Sequence, residues 1–461
     1  MTRGGGCDEG WGGKRVLVLG LGATGLSCVR HLAARGAVLR AADARAAPPG
    51  LAAARDAVPG LDFRAGDFDE GLLEGVDAVA PSPGVARAHP VLRAADARGL
   101  DVAGDIEILA REMASEPRRP RVIGVTGTNG KSTVTALAGD MARAAGLSTV
   151  VAGNIGEPVL DALAGSRRGA APDCWVIELS SYQLETTASL ALDAGAMLNL
   201  TQDHLDRYGS MAEYGRAKAR IFRHCASRVL NRDDAASLAM AGGRTVTFGL
   251  GRPAGAGEWG IADGHLVEGG ETIASLDEMP VAGLHNAANA LAAHALCREA
   301  GMDAAPLREA ILAFRGLPHR AQAVAEARGV AFLDDSKGTN VGATVAALEG
   351  LSRPAVLIAG GDGKGQDFTP LAAAVKAKAR AVVVIGRDGP RVADALAATG
   401  VPVERAATMP EAVEAAYRLA KRGDAVLLSP ACASLDMFSG YAERGRVFAE
   451  AARALAAREG A

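Results

Sequence analysis

Short apolar runs alternate with helix-like stretches along most of this chain. Residues 16–19 form an uninterrupted apolar run, and a helical pattern separates them from a second run at 37–42. A further run at 77–80 leads into the turn Pro-Ser-Pro-Gly at 81–84. Strands that alternate with helices indicate a parallel, doubly wound sheet. We therefore expect residues 14–112 to form an α/β domain.

The same alternation recurs twice further along the chain. Strands are predicted at 121–126, 149–151, 173–177 and 195–200, and then at 330–333, 355–359, 381–385 and 425–428. A length of 461 residues is too great for one ordinary core and suits three domains. We predict an α/β protein with three domains, each built on a largely parallel sheet with helices on its faces. The predicted parts are a disordered tail at 1–13 and domains at 14–112, 119–316 and 317–461.

Composition and charge narrow the class of protein. Hydrophobic residues make up 49% of the sequence and charged residues 22%, as in soluble globular proteins. The 50 Lys and Arg residues nearly balance the 53 Asp and Glu residues and form no basic tract, which argues against a nucleic-acid partner. No apolar run could span a membrane, the N-terminus has no signal-peptide pattern, and the six cysteines lack metal-binding spacing. We expect a cytoplasmic monomer with reduced thiols.

The stretch Gly-Val-Thr-Gly-Thr-Asn-Gly-Lys-Ser-Thr at 124–133 carries the clearest candidate chemistry. It joins a predicted strand to a predicted helix, and its glycines let backbone N–H groups approach phosphate oxygens at the helix N-terminus. Lys131 can reach the β- and γ-phosphates of a nucleotide, and the hydroxyl of Ser132 or Thr133 can bind Mg²⁺. The strict Walker spacing would need Gly where Val125 stands. ATP binding is favoured over a plain glycine-rich turn with an exposed lysine.

A second glycine-rich turn, Gly20-x-Gly22-x-x-Gly25, follows the first predicted strand. With Asp43 as the acidic residue further on, it fits the dinucleotide fingerprint, so an NAD-dependent oxidoreductase is one interpretation. The same turn accepts any diphosphate, so a nucleotide diphosphate with Asp43 on a polar group is another. Glycines needed only for close packing of strand and helix are a third. The pattern leaves all three open.

Polar residues follow the predicted strands of the middle domain. Glu178 ends one strand and His204 lies shortly after the next, so sheet geometry brings both to the same edge as Lys131. A carboxylate at that edge can bind Mg²⁺, although a solvated strand end is the simpler interpretation of Glu178 alone. Lys218 lies on a predicted helix, where a lone lysine is usually a surface residue. Asn289, on a further helix, can cap that helix or bind a base.

Taken together, these motifs resemble the Mur ligase family of ATP-dependent amide-bond-forming enzymes. The resemblance is carried by Gly-Thr-Asn-Gly-Lys-Ser-Thr at 127–133, Glu-Leu-Ser-Ser at 178–181, Asp-His at 203–204, His-Asn-x-x-Asn at 285–289 and His-Arg at 319–320. It covers the chain from about residue 14 to the end. It implies a Rossmann-like first domain that binds a UDP-sugar, a P-loop-type central domain that binds ATP, and a mobile Rossmann-like third domain that binds an amino acid.

Two further motifs resemble one member of that family. Asp-Asp-Ser-Lys-Gly-Thr-Asn at 334–340 and Ser-Pro-Ala-Cys-Ala-Ser-Leu-Asp at 429–436 are similar to the loops of the ligase that adds D-glutamate to UDP-N-acetylmuramoyl-L-alanine. That activity implies a role in the cytoplasmic stage of peptidoglycan synthesis. ATP would phosphorylate the L-alanyl carboxylate, and the D-glutamate amine would attack the resulting acyl phosphate. The rival interpretations are another ligase of the superfamily, such as a folylpolyglutamate synthetase, the NAD-dependent oxidoreductase, and a non-catalytic UDP-sugar-binding regulator.

The resemblance also assigns roles to individual residues. The UDP-sugar would contact Ala23, Thr24, Asp43, Arg45, Ser82, Gly84 and Asn154. ATP would contact Gly127, Thr128, Asn129, Gly130, Lys131, Ser132, Thr133, Asn289, Arg320, Asp335 and Lys337. D-Glutamate would contact Lys337, Thr339, Lys364, Ser434, Leu435 and Tyr441.

The implied catalytic residues are Lys131, Glu178, His204 and Lys218. Two Mg²⁺ ions would be held by Ser132, Glu178, His204 and Lys218, the last as a carbamate formed with CO₂. A carbamate suits this role because it turns a cation into an oxygen-donor anion. The chain departs from relatives at two places: Ala44 stands where some have Thr, and Tyr441 stands where Phe is found.

Overall fold

The computed structural model describes residues 10–281 and 283–459. Its first domain is a five-stranded parallel sheet with the strand order β3-β2-β1-β4-β5. The elements are β1 (Arg15–Leu19), α1 (Ala23–Ala34), β2 (Val38–Asp43), α2 (Leu51–Ala57), β3 (Asp62–Ala65), a 3₁₀ turn (Glu70–Leu73), β4 (Ala78–Pro81), α3 (Pro90–Ala97), β5 (Asp101–Val102) and α4 (Asp105–Ala114). The sequence predicted the parallel sheet, and the structure confirms it.

The predicted tail at 1–13 is too long at its C-terminal end. Residues 1–9 lie outside the described residues. Trp11, however, is only 8% exposed and belongs to the core of the first domain. Its ring lies under the Arg111 guanidinium, at 5.7 Å from the ring centroid. An aromatic ring removed from water in this way stabilises the domain, so the ordered chain begins before residue 14.

The central domain is a nine-stranded sheet with the order β14-β13-β12-β11-β10-β9-β6-β8-β7. In this order, every neighbouring pair from β12 to β7 is parallel, whereas the pairs β12–β13 and β13–β14 are antiparallel. The elements are β6 (Arg121–Thr126), α5 (Lys131–Ala144), β7 (Thr149–Gly153), α6 (Val159–Ser166), β8 (Cys174–Glu178), α7 (Ser181–Leu184), β9 (Ala191–Met197), α8 (Met211–Ala219), a 3₁₀ turn (Arg220–Phe222), β10 (His224–Asn231), α9 (Ala235–Leu238), β11 (Arg244–Phe248), β12 (Glu258–Ala262), β13 (His265–Glu268), β14 (Glu271–Ser275), a 3₁₀ turn (Leu276–Glu278), α10 (Leu284–Glu299) and α11 (Ala304–Ala313).

The sequence predicted the strands β6, β7 and β8 well but missed others. The predicted strand at 195–200 is β9, which begins and ends several residues earlier. Strands β10 to β14 were not predicted. Their short runs are interrupted by Arg, Glu and Thr residues, so no continuous apolar signal marks them.

The third domain is a six-stranded sheet with the order β15-β16-β20-β17-β18-β19. Only the edge strand β15 is antiparallel to its neighbour. The elements are β15 (Gln322–Ala327), β16 (Val330–Asp334), α12 (Val341–Glu349), β17 (Ala355–Gly360), α13 (Leu371–Lys378), β18 (Ala379–Ile385), α14 (Gly389–Leu396), a 3₁₀ turn (Ala397–Thr399), β19 (Val403–Arg405), α15 (Met409–Leu419), β20 (Ala425–Leu428) and α16 (Tyr441–Glu459).

The predicted fold class is confirmed. Each of the three sheets lies within one of the three predicted domains, and helices cover its faces. Strands such as β8, β17 and β20 are buried along their whole length, which explains why they appear in the sequence as continuous apolar runs. In the part of the chain that the structure describes, no helix is both long enough and apolar enough to cross a membrane.

Candidate functional site

The candidate site is built where three neighbouring strands of the central sheet end. Strand β6 pairs with β8 and β9, and the register places Val125 opposite Glu178 and Thr126 opposite Met197. All three strands are parallel, so the loops that follow them meet at one edge. The sequence predicted this convergence, and the strand register confirms it.

The phosphate-loop candidate at 127–130 connects β6 to α5 and needs both of its glycines. Gly127 has a φ of +152° and Gly130 a φ of +83°. A Cβ at Gly127 would lie 2.9 Å from the Cβ of Leu198, and one at Gly130 would lie 2.6 Å from Asn289 Oδ1. The loop can therefore follow this path only with glycine at these two positions. The Lys131 ammonium folds back over the loop and donates to the carbonyls of Gly127, at 2.9 Å, and Thr128, at 2.8 Å.

Lys218 lies beneath the same loop and is not a surface residue. It is 1% exposed, and its ammonium donates to the Gly127 carbonyl at 2.7 Å. Its Nζ lies 4.7 Å from the centre of the Tyr214 ring. Burial first, and the charge of Lys131 second, hold the pKa of Lys218 well below the ordinary value. The general expectation that a lone helical lysine is solvated is therefore wrong at this position.

Glu178 is buried at the end of β8 and is 1% exposed. Its Oε1 accepts a hydrogen bond from Asn154 Nδ2 at 2.8 Å. Its Oε2 is buried without a hydrogen-bond partner among the described residues. A buried carboxylate oxygen without a donor is costly unless a cation or another donor completes it.

His204 adopts a left-handed backbone conformation, with a φ of +56°. Its Nδ1 lies 2.7 Å from the Tyr182 hydroxyl, and its Nε2 lies 3.7 Å from Asp203 Oδ2. Burial is the main cause that lowers the pKa of His204, and the Asp203 carboxylate opposes it. The imidazole is therefore held in one orientation at the edge of the site.

Side chains of the third domain form hydrogen bonds to the central domain in and around the loop. Arg320 donates to the Ser132 hydroxyl at 3.0 Å, and Lys364 Nζ lies 2.8 Å from Asp203 Oδ1. Asn340 exchanges hydrogen bonds with Asn129 of the loop, at 2.9 and 3.2 Å. The third domain therefore closes over the loop in this structure.

A cavity lies between α10, the loop and the third domain. It is lined by Asn129, Gly130, Thr133, Asn289, Arg320, Asp335 and Lys337, all of which were predicted as ATP residues. Burial is the main cause that raises the pKa of Asp335 to about 7 and lowers that of Lys337 to about 8. Gly127, Thr128, Lys131 and Ser132, the remaining predicted ATP residues, belong to the adjoining loop and the start of α5.

A second cavity lies at the edge of the first sheet. It is lined by Ala23, Thr24, Asp43, Arg45, Ser82, Gly84 and Asn154, and thus gathers the whole predicted UDP-sugar set. Asp43 is 3% exposed and accepts from the backbone N–H of Leu21 at 2.7 Å. The Arg45 guanidinium forms two 2.8 Å hydrogen bonds to the Asp43 carboxylate and is the first cause that holds its pKa well below the ordinary value.

The residues predicted for the amino acid are not gathered in the same way. The Lys337 ammonium lies over the Tyr441 ring, 3.8 Å from its centre, and Lys364 is paired with Asp203 of the central domain. Leu435 is 72% exposed, whereas Ser434 is buried. Thr339 donates its backbone N–H to the carbonyl of Lys337 at 2.9 Å. Of these six residues, Lys337 lines the cavity beside the loop.

Sequence reasoning missed several residues that build the site. Asp203 and Asn340 stand inside the recognised motifs but were given no role. Asn199 accepts the N–H of Asn129 and donates to its carbonyl, and so fixes the loop. Tyr182 fixes His204. A polar residue directly after a strand was a usable signal for Asn199, whereas nothing in the sequence indicates the contact of Tyr182.

The residues present fit a divalent cation in combination with phosphate. In the described part of the chain no three His, Cys, Asp or Glu side chains converge as a ready-made metal site. The unpartnered Oε2 of Glu178 and the Ser132 hydroxyl are nevertheless oxygen donors beside the loop, of the kind that Mg²⁺ prefers. Mg²⁺ usually completes its octahedron with phosphate oxygens and water, so a sparse protein shell is expected.

The fold and site define a three-domain α/β protein with a glycine-rich phosphate loop where its domains meet. Two solved structures share this fold at low identity. A pseudomurein peptide ligase type C from Methanothermus fervidus has a TM-score of 0.60, is 19% identical, and the match covers 95% of this chain and 99% of that one. UDP-N-acetylmuramate-alanine ligase MurC from Thermotoga maritima has a TM-score of 0.60, is 20% identical, and the match covers 96% and 100% of the two chains.

The chain belongs to the Mur ligase family. Residues 14–104 match the Mur ligase MurD-like N-terminal domain, 125–297 the Mur ligase middle domain, and 319–432 the Mur ligase, glutamate ligase domain. A protein from Thiobacillus denitrificans named UDP-N-acetylmuramoylalanine--D-glutamate ligase is 52% identical, and the alignment covers 96% of this chain and 97% of that protein. The protein of the same name from Chromobacterium violaceum is 49% identical over 96% and 98% of the two chains.

Proposed function

We propose that this protein is the ATP-dependent ligase that adds D-glutamate to UDP-N-acetylmuramoyl-L-alanine. The observation that carries the proposal is the meeting of three elements at one edge. The phosphate loop faces the Arg320 and Lys364 side chains of the third domain, and the first-domain cavity reaches the same edge through Asn154, which lines it and donates to Glu178. The relatives named above support this choice of substrates. ATP and a UDP-sugar are cytoplasmic metabolites, so we place the reaction in the cytoplasm.

The reaction consists of two transfers. A carboxylate oxygen of the L-alanyl group attacks the γ-phosphorus of ATP, the bond to the β-phosphate oxygen breaks, and ADP and an acyl phosphate form. The amine of D-glutamate then attacks the acyl carbon, loses a proton, and expels phosphate to leave the amide. Both steps concentrate negative charge near the phosphate, so positioned cations are the main means of acceleration.

Lys131 supplies a cation at the loop. In this structure its ammonium donates hydrogen bonds to the carbonyls of Gly127 and Thr128, within reach of the space that the loop encloses. Exchange of those carbonyls for phosphate oxygens converts two neutral acceptors into charged ones, which strengthens the hydrogen bonds. Arg320 of the third domain donates to the neighbouring Ser132 hydroxyl and adds a second positive charge beside the loop.

Mg²⁺ bound here would neutralise the charge that develops on the transferring phosphoryl group. Ser132 would hold one ion and His204 the second, with Glu178 shared in the metal shell and the carbamate of Lys218 as a further oxygen ligand. The buried Oε2 of Glu178 supports this assignment, since no described residue satisfies it.

Carbamylation of Lys218 requires an unprotonated amine. Burial beside Lys131 lowers the pKa of Lys218, which favours the neutral amine that attacks CO₂. The attack forms a C–N bond and releases one proton. The carbamate nitrogen keeps one N–H, which can maintain the hydrogen bond that Nζ now gives to the Gly127 carbonyl.

The remaining predicted residues bind substrates. The cavity next to Asn289 and Asp335 is proposed to take the adenosine, and the first-domain cavity the uridine and diphosphate. Lys337, Thr339, Lys364, Ser434, Leu435 and Tyr441 are proposed to bind D-glutamate. Two of these are cations, which suits a dicarboxylate whose charges must be compensated when they leave water.

Phosphate release tests the proposal. The purified protein is incubated with ATP, Mg²⁺ and UDP-N-acetylmuramoyl-L-alanine, together with one amino acid from a panel: D-glutamate, L-glutamate, D-aspartate, L-alanine or meso-diaminopimelate. We expect turnover with D-glutamate to exceed that with every other amino acid. Preferred turnover with L-glutamate or a diamino acid would contradict the proposal, and UDP-sugar binding without phosphate release would favour a non-catalytic regulator.

Mass spectrometry and mutation test the carbamate. In bicarbonate buffer the intact protein should gain the mass of CO₂, and Lys218→Ala should not. Lys218→Ala should also lose activity and partly regain it with added acetate or formate, which can fill the vacated oxygen-ligand positions. Full activity in Lys218→Ala without any carboxylate would contradict the assignment.

A further inference from the structure

Arg207 lies between the first two domains, and all five N–H donors of its guanidinium form hydrogen bonds. Its side chain is 10% exposed. The guanidinium donates to three backbone carbonyls of the first domain, those of Pro83 at 2.8 Å and of Gly84 and Val85 at 3.3 Å each. It also forms hydrogen bonds of 3.2 and 2.6 Å to the two carboxylate oxygens of Glu185. These five hydrogen bonds match the five N–H donors of a guanidinium, so none is left for a phosphate.

The carbonyls that Arg207 holds belong to the wall of the first-domain cavity. Ser82, Pro83, Gly84 and Val85 all line that cavity, and the N–H of Val85 closes the turn on the Ser82 carbonyl at 2.9 Å. Carbonyls that leave water need donors, and Arg207 supplies donors to three of them in a row. The position of this turn therefore depends on a residue of the central domain.

On its other side, the Arg207 guanidinium contacts Tyr182, and Tyr182 in turn contacts His204. The guanidinium lies over the Tyr182 ring, 4.0 Å from its centre. The hydroxyl of the same ring lies 2.7 Å from His204 Nδ1. One planar group thus contacts the UDP-sugar wall with its edge and the tyrosine that holds His204 with its face.

Glu185 keeps this arrangement electrically neutral. Besides Arg207, its carboxylate accepts from the Tyr208 hydroxyl at 2.6 Å and from the backbone N–H of Arg87 at 3.1 Å. A buried Arg–Glu pair with all its donors and acceptors satisfied contributes defined geometry more than net stability. The Arg207–Glu185 pair therefore acts on substrates through neighbouring residues and not by direct contact.

We propose that Arg207 is a positioning residue that fixes the turn at 82–85 of the first-domain cavity relative to His204 through the ring of Tyr182. This inference rests on the proposed function. In the reaction, the UDP-sugar is held in the first cavity while its L-alanyl carboxylate must meet the γ-phosphate near His204. A displacement of about 1 Å between two such sites is enough to lower the rate about a hundredfold.

Kinetics of matched variants test the proposal. Arg207→Lys keeps the charge but loses the planar fork that serves several carbonyls and stacks on a ring. Tyr182→Phe keeps the ring and removes only the hydroxyl. Arg216→Lys is the control, because Arg216 lies on the neighbouring helix α8 with a side chain that is 76% exposed. Each variant is assayed for kcat and for the KM of the UDP-sugar, ATP and D-glutamate.

Each variant should give its own kinetic pattern. Arg207→Lys should raise the KM of the UDP-sugar and lower kcat, with kcat/KM reduced about 30-fold, as for a lost supporting contact. Tyr182→Phe should lower kcat about tenfold and leave the three KM values within about twofold. The double variant should lose less than the product of the two single losses, because one route carries both effects. Arg216→Lys should match the wild type.

A second readout does not depend on turnover or on the folding of Arg207→Lys. In ligand-free protein labelled with ¹⁵N-histidine, the resonance of His204 Nδ1, assigned through His204→Gln, should change in Tyr182→Phe. It should also change in Arg207→Lys if that variant folds. An unchanged His204 resonance in Tyr182→Phe would overturn the proposal, as would fully multiplicative rate losses or single variants within about twofold of the wild type. A wild type that neither binds UDP nor turns over would instead refute the proposed function, and the inference would fail with it.

Discussion

The first-domain cavity and the amino-acid residues of the third domain differ in how completely they are built. Every residue predicted to contact the UDP-sugar lines one cavity, and the Asp43–Arg45 pair is already in place. Of the residues predicted for D-glutamate, Lys364 is paired with Asp203 of the central domain, and Leu435 is 72% exposed. The first cavity thus has its predicted lining in place, with Asn154 contributed by the central domain, whereas Lys364 is engaged in an ion pair between domains.

The difference has a physical cause. The glycine turn and Asp43 of the first site are fixed by adjacent parallel strands, whose geometry leaves little freedom. Among the residues proposed for D-glutamate, Lys364 pairs with Asp203 across a polar interface between the third and central domains. Interfaces of this kind permit domain motion, so ligands can shift their equilibrium. Single substitutions in each site test whether the two sites are independent in this sense.

The largest effect is expected for Lys131→Ala. Loss of the loop cation should lower phosphate release at least about a thousandfold, since charge stabilisation dominates phosphoryl transfer. The affinity for UDP, measured by calorimetry, should stay within about twofold because the first cavity is complete without the loop. Lys376→Ala, which removes an exposed lysine of α13, is the matched control. Weaker UDP binding in Lys131→Ala would show that the first site is not independent.

Asp43→Asn should separate the two sites in the opposite direction. The substitution removes the charge that holds Arg45 and keeps the shape of the side chain. We expect UDP to bind about 10- to 100-fold more weakly, the usual cost of losing hydrogen bonds to a charged group. The KM values of ATP and D-glutamate should change little. Asp56→Asn, at an exposed position of α2, is the control, and an equal rise in all three KM values would contradict the expectation.

A smaller effect is expected at the domain boundary from Lys364→Met. This variant should raise the KM of D-glutamate about tenfold, while UDP affinity is unchanged, because the lost cation serves one carboxylate. Asp203→Asn frees Lys364 from its partner and reports on that pair separately. If Lys364 served only to bind Asp203, neither Lys364→Met nor Asp203→Asn would change the KM of D-glutamate. The variant that carries both substitutions would then behave like Lys364→Met alone.

Much of this architecture was predictable because it depends on local pattern. Continuous apolar runs identify the buried parallel strands. The two glycines of the loop at 127–130 are visible in the sequence, and the structure gives both a positive φ. The convergence of Glu178 and His204 follows from strand ends alone. The antiparallel strands β12 to β14 escaped prediction because their sequences alternate weakly and mix charged with apolar residues.

Contacts between distant segments were not predictable. Lys218 looks like a surface lysine in the sequence, and only the packing of α8 beneath the loop buries it. The hydrogen bond between Tyr182 and His204 and the five donated by Arg207 join residues whose separation in sequence carries no periodic signal. Contacts of this kind are found only once helices and loops that are distant in sequence are placed in the fold.

The smallest expected effect is an alkaline limb in the pH profile caused by Lys337. Burial and the nearby Arg320 lower its pKa to about 8, with Glu178 acting in the opposite direction. Below that pH the ammonium is charged and attracts phosphate or carboxylate, and above it the charge is lost. Between pH 7 and 8.5, kcat/KM for ATP, which reports the free enzyme, should therefore fall about fourfold.

Substitution by arginine assigns this limb. Lys337→Arg should move the fall to higher pH, because a guanidinium keeps its charge throughout this range. Lys376→Arg is the control and should leave the profile unchanged. UDP affinity should be constant over the same interval, since the low pKa of Asp43 keeps that carboxylate ionised and paired with Arg45. A limb that stays in place in Lys337→Arg would assign it to another titratable group of the site, such as Asp335, whose pKa is raised to about 7. A parallel loss of UDP binding would show that the two sites are coupled.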